Sequence, residues 1–250
     1  MSPAGMTGRF GAYLSLLWFA GSRRAELRRP LLRSQLQRQI NAAGIAALPI
    51  VMILAALTGV AVSTQLAALI GADSDLTQRL IFLGLFFELA PLLSALVVEA
   101  RSSAGIASEL AVMKLHDEFT ALHRLGVPPA DYLLLPRIFG LAIALPAVTA
   151  CFQVCAVASG WLATALIDGR PLLEAAGHFL DFANPWLVLL SLGKSALTGA
   201  VIGIIACHQG SSGEASARAI SDAAIKSVGA SLIAVFVIDV ATAAVVWALR

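Results

Sequence analysis

Residues Phe87–Arg137 read FELAPLLSALVVEARSSAGIASELAVMKLHDEFTALHRLGVPPADYLLLPR. One carboxylate, Glu88, lies in an apolar run of membrane-spanning length, and a short charged segment follows that run. A charge inside a hydrocarbon-spanning helix is costly and usually serves a function. This order is typical of a transporter subunit, which needs a polar element in the path of its cargo and a helix outside the membrane for its driving partner.

The composition of the whole chain indicates an integral membrane protein. Among the 250 residues, 59% are hydrophobic and 13% are charged, and the mean hydropathy is +0.86, which describes a chain whose solvent is mostly lipid. The net charge of +2 comes from basic residues spread through short connections, so it gives no signal for nucleic-acid binding. Packing explains Cys151, Cys155 and Cys207 better than a disulfide or a zinc site, because they lie in apolar runs without a ligand partner.

Stretches without charges predict five transmembrane helices, because an α-helix needs roughly 20 apolar residues to cross the hydrocarbon. The predicted spans are 39–69, 80–110, 138–167, 182–207 and 226–249, and in the second the membrane crossing is 80–98, which extends as a helix toward 110. The residues show no strand-like alternation, which excludes an outer-membrane barrel. The expected fold class is therefore an all-α integral membrane protein.

The N-terminal residues 8–30 predict a further helix that lies on the membrane surface. Their apolar part, Phe10–Ala20, is too short to cross a bilayer and is followed by arginines. In a signal peptide the charges would stand on the other side of the apolar part. Tyr13 and Trp18 suit the depth of the membrane interface, so we expect an interfacial helix.

The basic residues also predict how the spans are oriented. They concentrate in the N-terminal segment and in the connections between the second and third spans and between the fourth and fifth, whereas acidic residues prevail on the opposite side. By the positive-inside rule, the N-terminus is cytoplasmic and the C-terminus lies outside. An odd number of spans agrees with this orientation.

Three ionisable residues stand inside the predicted spans: Glu88 in the second, Lys194 in the fourth and Asp239 in the fifth. At about 1.5 Å per residue, they lie roughly 12, 18 and 15 Å from the outer ends of their spans, so they share a depth. A central charge costs on the order of 3 kcal/mol, so we expect two acids and one base at one level to pair and to face a cavity. The alternative is an ion pair that only ties the helices together.

Residues 112–126, called the coupling segment below, combine charged and apolar residues in a pattern that predicts one amphipathic helix. Gly126, followed by Pro128 and Pro129, is a usual helix stop. One interpretation is a solvated helix, and the other is a helix that docks into a partner ATPase. The candidate ATPase contacts are Glu109, Met113, His116, Asp117, Glu118, Leu122 and Arg124. The segment lacks the HExxH spacing of a zinc site, so we predict no metal here.

Gly193, Lys194 and Ser195 resemble the end of a phosphate-binding loop, but Val188 stands where that motif requires its first glycine. The surrounding run is apolar, and no strand precedes it. A GxSxG nucleophile motif is also absent. We therefore predict that the chain hydrolyses no ATP itself, has no catalytic residue and is not an enzyme.

With these features the chain resembles the MlaE/YrbE permeases, the membrane subunits of ABC systems that move lipids together with MCE-domain proteins. The resemblance extends from about Gln39 to Asp239 and includes Glu88, Leu89 and Pro91 of the family's Glu-Leu-Gly-Pro motif. Together the matching positions are specific, and the others are Gly44, Leu48–Met52, Gly59, Gln65, Arg101, Glu109, Leu110, Met113, Glu118, Ala121, Leu122, Gly126, Pro136, Arg137, Pro185, Lys194, Ser195, Gly199, Cys207, Gly210 and Ser227.

Departures from the family pattern indicate a divergent branch. Ala90 replaces the glycine of Glu-Leu-Gly-Pro, and Ser103 replaces the second glycine of a Gly-Arg-x-Gly motif. Phe119 replaces a glutamine of the coupling helix, and Leu187 replaces an acidic residue. Glu99 adds a charge where a small residue is common. These substitutions leave the architecture intact but leave the identity of the lipid and of the partner open.

The resemblance implies a single permease domain over residues 1–250 that forms a homodimer in the bacterial inner membrane, around a cavity open to the periplasm. Phospholipid, or a similar lipid, is the implied cargo. The implied lining of the lipid cavity is Glu88, Lys194, Asp239, Pro49, Leu89 and Pro91. Among these residues we favour Lys194 as a phosphate contact, because an ammonium on a flexible stem can follow a mobile head group.

The partners implied by the resemblance are two copies of a cytoplasmic ATPase, which bind ATP and magnesium, an MCE-domain protein on the outer side and a STAS-domain regulator. No cofactor is expected in this chain. ATP-driven closure of the dimer, transmitted through the coupling segment, would squeeze the cavity.

Two other classes of function stay open. An ion-coupled secondary carrier could use Glu88, Lys194 and Asp239 as a proton relay, although five spans without an internal repeat argue against it. A membrane scaffold that moves nothing needs no buried charges and so explains less. Binding of an ATPase to the coupling segment would distinguish an ABC permease from both.

Overall fold

The computed structural model of the chain describes residues 30–71, 80–168, 185–213 and 215–248. This part is almost entirely helical, and no strand occurs in it. Of the interfacial helix predicted over 8–30, residues 8–29 lie outside the described part. The α-helices, numbered in chain order, are α1 (Pro30–Ala43), α2 (Leu48–Ile70), α3 (Ala90–Leu115), α4 (Glu118–Arg124), α5 (Leu135–Asp168), α6 (Pro185–Ser212) and α7 (Ala217–Ala248).

Three shorter helical segments lead into the long helices. A 3₁₀ turn, Ile45–Ala47, precedes α2. Two π-helical segments, Ile81–Leu89 and Ala130–Leu134, precede α3 and α5. Each continues directly into its α-helix, so the chain crosses from one backbone register to the other without a loop.

Five helical stretches in the described ranges are long and apolar enough to cross a membrane: Leu32–Ile70, Leu83–Leu115, Ala130–Ile167, Pro185–Ser212 and Ala217–Val246. The predicted all-α class with five spans is therefore confirmed. The helices run past the predicted spans, because the third stretch begins at Ala130 and the fifth at Ala217. Charged residues limited the predicted spans, but a charge near a helix end can lie outside the hydrocarbon and leaves the backbone hydrogen bonds intact.

The coupling segment is divided into two helical parts, so the prediction of one helix over 112–126 is wrong. α3 continues through Leu115, and the backbone then turns at Asp117, which has a left-handed φ of 56°. Aspartate is among the residues that tolerate this conformation, and a periodic pattern of apolar residues does not reveal it. The second part, α4, ends at Arg124, and Gly126, the predicted helix stop, follows two residues later with a φ of 75°. The N–H groups of Gly126 and Val127 donate to carbonyls of the last turn of α4.

The core lies where α5 crosses the other long helices. α5 packs against α1, α2 and α6, and α3 packs against α6 and α7. The side chains of Leu141, Leu145 and Phe152 on α5 are fully buried. On the outer surface, large apolar side chains such as Ile53 and Leu57 are exposed, which is the expected arrangement where lipid is the solvent.

α2 and α5 approach each other closely enough for their backbones to touch. A Cβ atom at Gly59 would overlap the carbonyl oxygen of Ala156, and a Cβ atom at Gly160 would overlap the hydroxyl of Ser63. Both helices thus place small residues four positions apart on the facing sides. This spacing is typical of helix packing in membranes, where close van der Waals contact replaces the hydrophobic effect.

Gly59→Ala should destabilise the protein, because the added methyl group forces the two backbones apart. Overpacking of this kind costs about 1–3 kcal/mol, so we expect a lower midpoint of thermal unfolding in detergent, followed by tryptophan fluorescence. The control is Gly105→Ala on α3, where a Cβ atom meets nothing within 4 Å and should not lower the midpoint. Equal midpoints for the two variants would contradict the proposed close contact.

Candidate functional site

Three charged side chains meet within the helix bundle, and we call them the triad. Lys194 on α6 places Nζ 2.8 Å from Oε2 of Glu88 and 2.6 Å from Oδ1 of Asp239. Glu88 belongs to the π-helical segment before α3, and Asp239 belongs to α7. The structure thus brings together the three residues that were predicted to lie at the same depth in the membrane. Two roles stay open for this cluster: it contacts cargo, or it only ties helices together.

The members of the triad differ in accessibility. The side chain of Lys194 is 4% exposed, that of Asp239 is 17% exposed and that of Glu88 is 33% exposed. The ring centroid of Phe87 lies 5.1 Å from Nζ of Lys194 and provides a third neighbour for the ammonium. The ammonium is therefore enclosed, and Glu88 is the member that other molecules can reach most easily.

Pro91 changes the hydrogen bonding of the π-helical segment that carries Glu88. In the π-helical register, the N–H of Ala90 donates to the carbonyl of Leu85, five residues earlier. The next donor in that register would be residue 91, which is proline and has no N–H. The carbonyl of Phe86 instead accepts a hydrogen bond of 2.9 Å from Nε2 of Gln153 on α5.

Gln153 and Ser191 form a polar support beneath Glu88. Nε2 of Gln153 also donates to the hydroxyl of Ser191 over 2.6 Å, and this hydroxyl lies 3.4 Å from the carbonyl of Phe86. Both side chains are buried. Sequence analysis did not single out either residue, although an amide in a charge-free span was the available signal. Their bonds fix the π-helical segment against α5 and α6, and so fix the direction of Glu88.

The other residues predicted to line the lipid cavity occupy different places. Pro91 is buried in the first turn of α3, and Leu89 packs against the core. Both adjoin Glu88 in sequence and stay near the triad. Pro49 is exposed at the first turn of α2, a helix that carries no member of the triad.

Two of the predicted ATPase contacts, Glu109 and Met113, interact with Arg137 of the same chain. Glu109 forms an ion pair with Arg137, with 2.9 Å between Oε2 and Nη2. The same guanidinium donates to the carbonyl of Leu133 over 2.7 Å and lies 3.9 Å from Sδ of Met113. Arg137 thus joins the far part of α3 to the start of α5. Glu109 and Met113 position the base of the coupling segment.

A second link at this end of the bundle comes from Lys114. Its Nζ donates to the carbonyl of Ser211 over 2.7 Å, close to the C-terminus of α6. A cation there satisfies a carbonyl that has no partner within its own helix and interacts favourably with the helix dipole. Together with Arg137, this lysine connects the ends of α3, α5 and α6.

The remaining predicted ATPase contacts surround α4, which divides into a packed face and an exposed face. Leu122 packs against the core together with Phe119. The exposed members of the predicted set are His116, Asp117, Glu118 and Arg124. No group of His, Cys, Asp and Glu suited to a metal ion occurs in the described residues. The exposed face of α4 is therefore a charged surface on a firmly packed base.

A separate polar contact joins α3 to α7. The hydroxyl of Ser231 donates to Oε1 of Glu99 over 2.8 Å, and the hydroxyl of Ser103 lies 2.6 Å from that of Ser227. Glu99 is 1% exposed. Two of the departures noted in the sequence, Glu99 and Ser103, thus belong to one buried hydrogen-bonded cluster.

Comparison with known proteins shows what the chain is similar to. The family model described as Permease MlaE matches residues 36–245. A probable ABC transporter permease protein of Synechocystis sp. is 28% identical over 202 residues, which cover 80% of this chain and 76% of the relative. A probable ABC transporter permease protein of Rickettsia felis is 29% identical over 190 residues, which cover 74% of this chain and 72% of the relative.

A plant protein shares a shorter region. Protein TRIGALACTOSYLDIACYLGLYCEROL 1, chloroplastic, of Arabidopsis thaliana is 31% identical over 155 residues, which cover 61% of this chain. The matching region spans 43% of the plant protein. The similarity therefore concerns less than half of that relative.

Lys194→Met should lower the stability of the protein, because it leaves two carboxylates without their counter-charge. Removing one partner of a buried pair costs about 3–5 kcal/mol, which thermal unfolding of the purified chain would detect. The matched variant E88Q/K194M/D239N removes all three charges and should recover most of the loss. If Lys194→Met unfolds at the wild-type temperature, the triad does not hold the helices together.

Gln153→Leu should also destabilise the protein, because it removes the donor to the carbonyl of Phe86 and to Ser191. We expect a loss of about 1–2 kcal/mol, in the upper range for hydrogen bonds between membrane helices. Thr242→Val is the control, since the Thr242 hydroxyl bonds only carbonyls of its own helix. Chemical denaturation of both variants in detergent provides the measurement. A larger loss for Thr242→Val than for Gln153→Leu would be inconsistent with a support at Gln153.

Proposed function

The chain belongs to the MlaE permease family and is the non-enzymatic membrane subunit of an ABC transporter, and on this premise we propose that its cargo is a glycerolipid. The lipid moves between the inner membrane and an MCE-domain protein in the periplasm. Phospholipid is the cargo class that the original resemblance implies. ATP hydrolysis takes place on a separate ATPase subunit, which binds ATP and magnesium.

The observation that carries the proposal of a lipid cargo is the triad. It provides a polar group at membrane depth, and a third of the Glu88 side chain is accessible. A glycerolipid has a polar head for such a site and apolar tails for the surrounding helix surfaces. The name of the Arabidopsis relative contains that of a glycerolipid, trigalactosyldiacylglycerol, which favours the same class of cargo.

The proposed assembly contains two copies of the chain around a lipid cavity that opens toward the periplasm. The N-terminus and the coupling segment face the cytoplasm, and the C-terminus faces the periplasm, as the distribution of basic residues favours. Two ATPase subunits dock on the two coupling segments. An MCE-domain protein covers the periplasmic opening, and a STAS-domain regulator completes the assembly on the ATPase side.

The contacts at the base of the coupling segment support a route for mechanical coupling. A partner that moves α4 also moves the end of α3, because only a turn at Asp117 separates the two helices. The contacts of Arg137 and Lys114 pass this movement to α5 and α6. α3 and α6 lead to Glu88 and Lys194, respectively, so a movement outside the membrane reaches the lipid site.

Photo-crosslinking tests the docking of the ATPase. A photo-reactive residue at Leu125, which is 77% exposed just after α4, should crosslink to an ATPase subunit that copurifies with the chain. The control carries the same residue at Leu69, which is 81% exposed near the end of α2, on the other side of the membrane in this assembly. Mass spectrometry of the purified material identifies the crosslinked protein, any MCE-domain protein and the bound lipids.

The outcomes separate the proposed permease from its alternatives. A crosslink to an ATPase at 125 but not at 69, together with copurified glycerolipid, supports the proposal. Purification of the chain alone, without a crosslink, favours an ion-coupled carrier that uses Glu88, Lys194 and Asp239. An ATPase without any lipid transfer after reconstitution favours a scaffold. If E88Q/K194M/D239N transfers lipid as the wild type does, the triad only ties helices together.

A further inference from the structure

We propose that the triad selects lipids whose head group donates hydrogen bonds and carries no net negative charge. This inference rests on the proposed function, because it concerns the lipid site of the same transporter. It differs from the expectation that Lys194 binds a lipid phosphate. Three features support it: Lys194 is enclosed by its ion-pair partners, the most accessible group is an acceptor, and the triad has a net negative formal charge.

The ammonium of Lys194 is enclosed by groups of its own chain. It donates a hydrogen bond of 2.8 Å to Glu88, and Nζ lies 2.6 Å from Oδ1 of Asp239 in an ion pair. The ring of Phe87 covers another side of the ammonium. Only 4% of the lysine side chain is exposed. A phosphate would have to displace a carboxylate from an ion pair to reach Nζ.

The group that a head group can reach is the carboxylate of Glu88. Its side chain is 33% exposed, which is the largest value in the triad. Oε2 is bound to Lys194, and among the described residues no hydrogen bond is directed to Oε1. An ionised carboxylate accepts hydrogen bonds and donates none. The partner that fits is therefore a donor, such as the ammonium of ethanolamine or the hydroxyls of a sugar.

The formal charges of the triad sum to one negative charge, from two carboxylates and one ammonium. No second cation compensates it nearby in the described part of the spanning helices. Arg101 is the next basic residue along α3, and it lies about 20 Å from Glu88 along the helix. An anionic head group would therefore meet a like charge in a setting of low dielectric constant, where repulsion is strong.

Four head groups distinguish the elements of this proposal. Phosphatidylethanolamine has ammonium donors and no net charge, and a monogalactosyl lipid has hydroxyl donors and no charge. Phosphatidylcholine has no net charge and no donor. Phosphatidylglycerol has hydroxyl donors but carries a net negative charge. The proposal predicts tighter binding of phosphatidylethanolamine and the galactolipid than of phosphatidylcholine and phosphatidylglycerol. Comparing phosphatidylethanolamine with the galactolipid then shows whether the bound donor is an ammonium or a hydroxyl.

The experiment uses the transporter complex, purified with its ATPase and incorporated into nanodiscs that contain the four lipids with identical acyl chains in equal amounts. Native mass spectrometry measures the lipids that stay bound to the complex. We expect phosphatidylethanolamine, the galactolipid or both to be enriched roughly tenfold over phosphatidylglycerol and phosphatidylcholine, which corresponds to one charge-assisted hydrogen bond. ATP-dependent transfer of lipid to acceptor vesicles is measured in parallel.

Two variants at Glu88 locate the selectivity. E88Q keeps an acceptor oxygen but removes the charge, so the discrimination against phosphatidylglycerol should fall at least severalfold. E88L removes the acceptor as well and should abolish the enrichment of donor head groups. D222N is the control, because Asp222 is an exposed carboxylate on α7 whose ion pair, with Lys226 at 3.8 Å, lies outside the triad. Gel filtration and thermal unfolding confirm that each variant is folded.

Enrichment of phosphatidylglycerol in the wild type would overturn the proposal and restore Lys194 as a phosphate contact. Equal binding of all four lipids, or selectivity that E88Q and E88L leave unchanged, would overturn it as well. In these cases ATP-dependent lipid transfer still supports the proposed function. Absence of any transfer or lipid binding by the intact complex would count against the proposed function itself.

Discussion

The ammonium of Lys194 is the contact on which the packing of three helices depends. It joins α6 to the π-helical segment before α3 through Glu88, and to α7 through Asp239. Each charge alone would cost on the order of 3 kcal/mol at membrane depth, so the helices that carry them cannot rotate or slide independently. α7 depends most on this contact, because its buried residues form a single line along the helix: Ala223, Ser227, Ser231 and Val235. Asp239 continues this line with the same spacing of four residues.

The direction of Glu88 depends on a second constraint, which comes from the backbone. Pro91 cannot donate a hydrogen bond to the carbonyl of Phe86, and the π-helical register places that carbonyl where Gln153 reaches it over 2.9 Å. The glutamine and Ser191 thus replace a missing main-chain donor with side-chain donors from α5 and α6. A charged residue in a membrane span can serve a function only if its direction is fixed. Pro91 removes one main-chain hydrogen bond from the helix, and the hydrogen bonds of Gln153 and Ser191 hold the segment in place instead.

The sequence predicted how deep in the membrane a residue lies better than it predicted which neighbouring helix its side chain faces. Charge-free stretches revealed five spans, and the positions of Glu88, Lys194 and Asp239 along those spans revealed a common level, because depth follows from residue counting along a helix. The facing of a side chain depends on which helices are neighbours, and this is why the support at Gln153 was missed. The turn at Asp117 was missed because a residue in the left-handed region leaves the apolar pattern unchanged. The ion pair of Glu109 with Arg137 was missed as well, because the two residues lie on different helices, and a single sequence does not show which positions on different helices are neighbours.

Close contacts within the chain favour a mechanism in which whole chains move against each other. α6 is joined to the π-helical segment before α3 by Lys194 with Glu88, and to the end of α3 by Lys114 with the carbonyl of Ser211. α5 makes backbone-level contacts with α2 and with α6, through glycines on each of them. A slide of one residue, about 1.5 Å, would place a larger side chain where a glycine now allows the approach. In the proposed mechanism, a movement of α4 would therefore displace the chain as a rigid body. In the proposed dimer, the cavity between the two copies is then the part that changes shape.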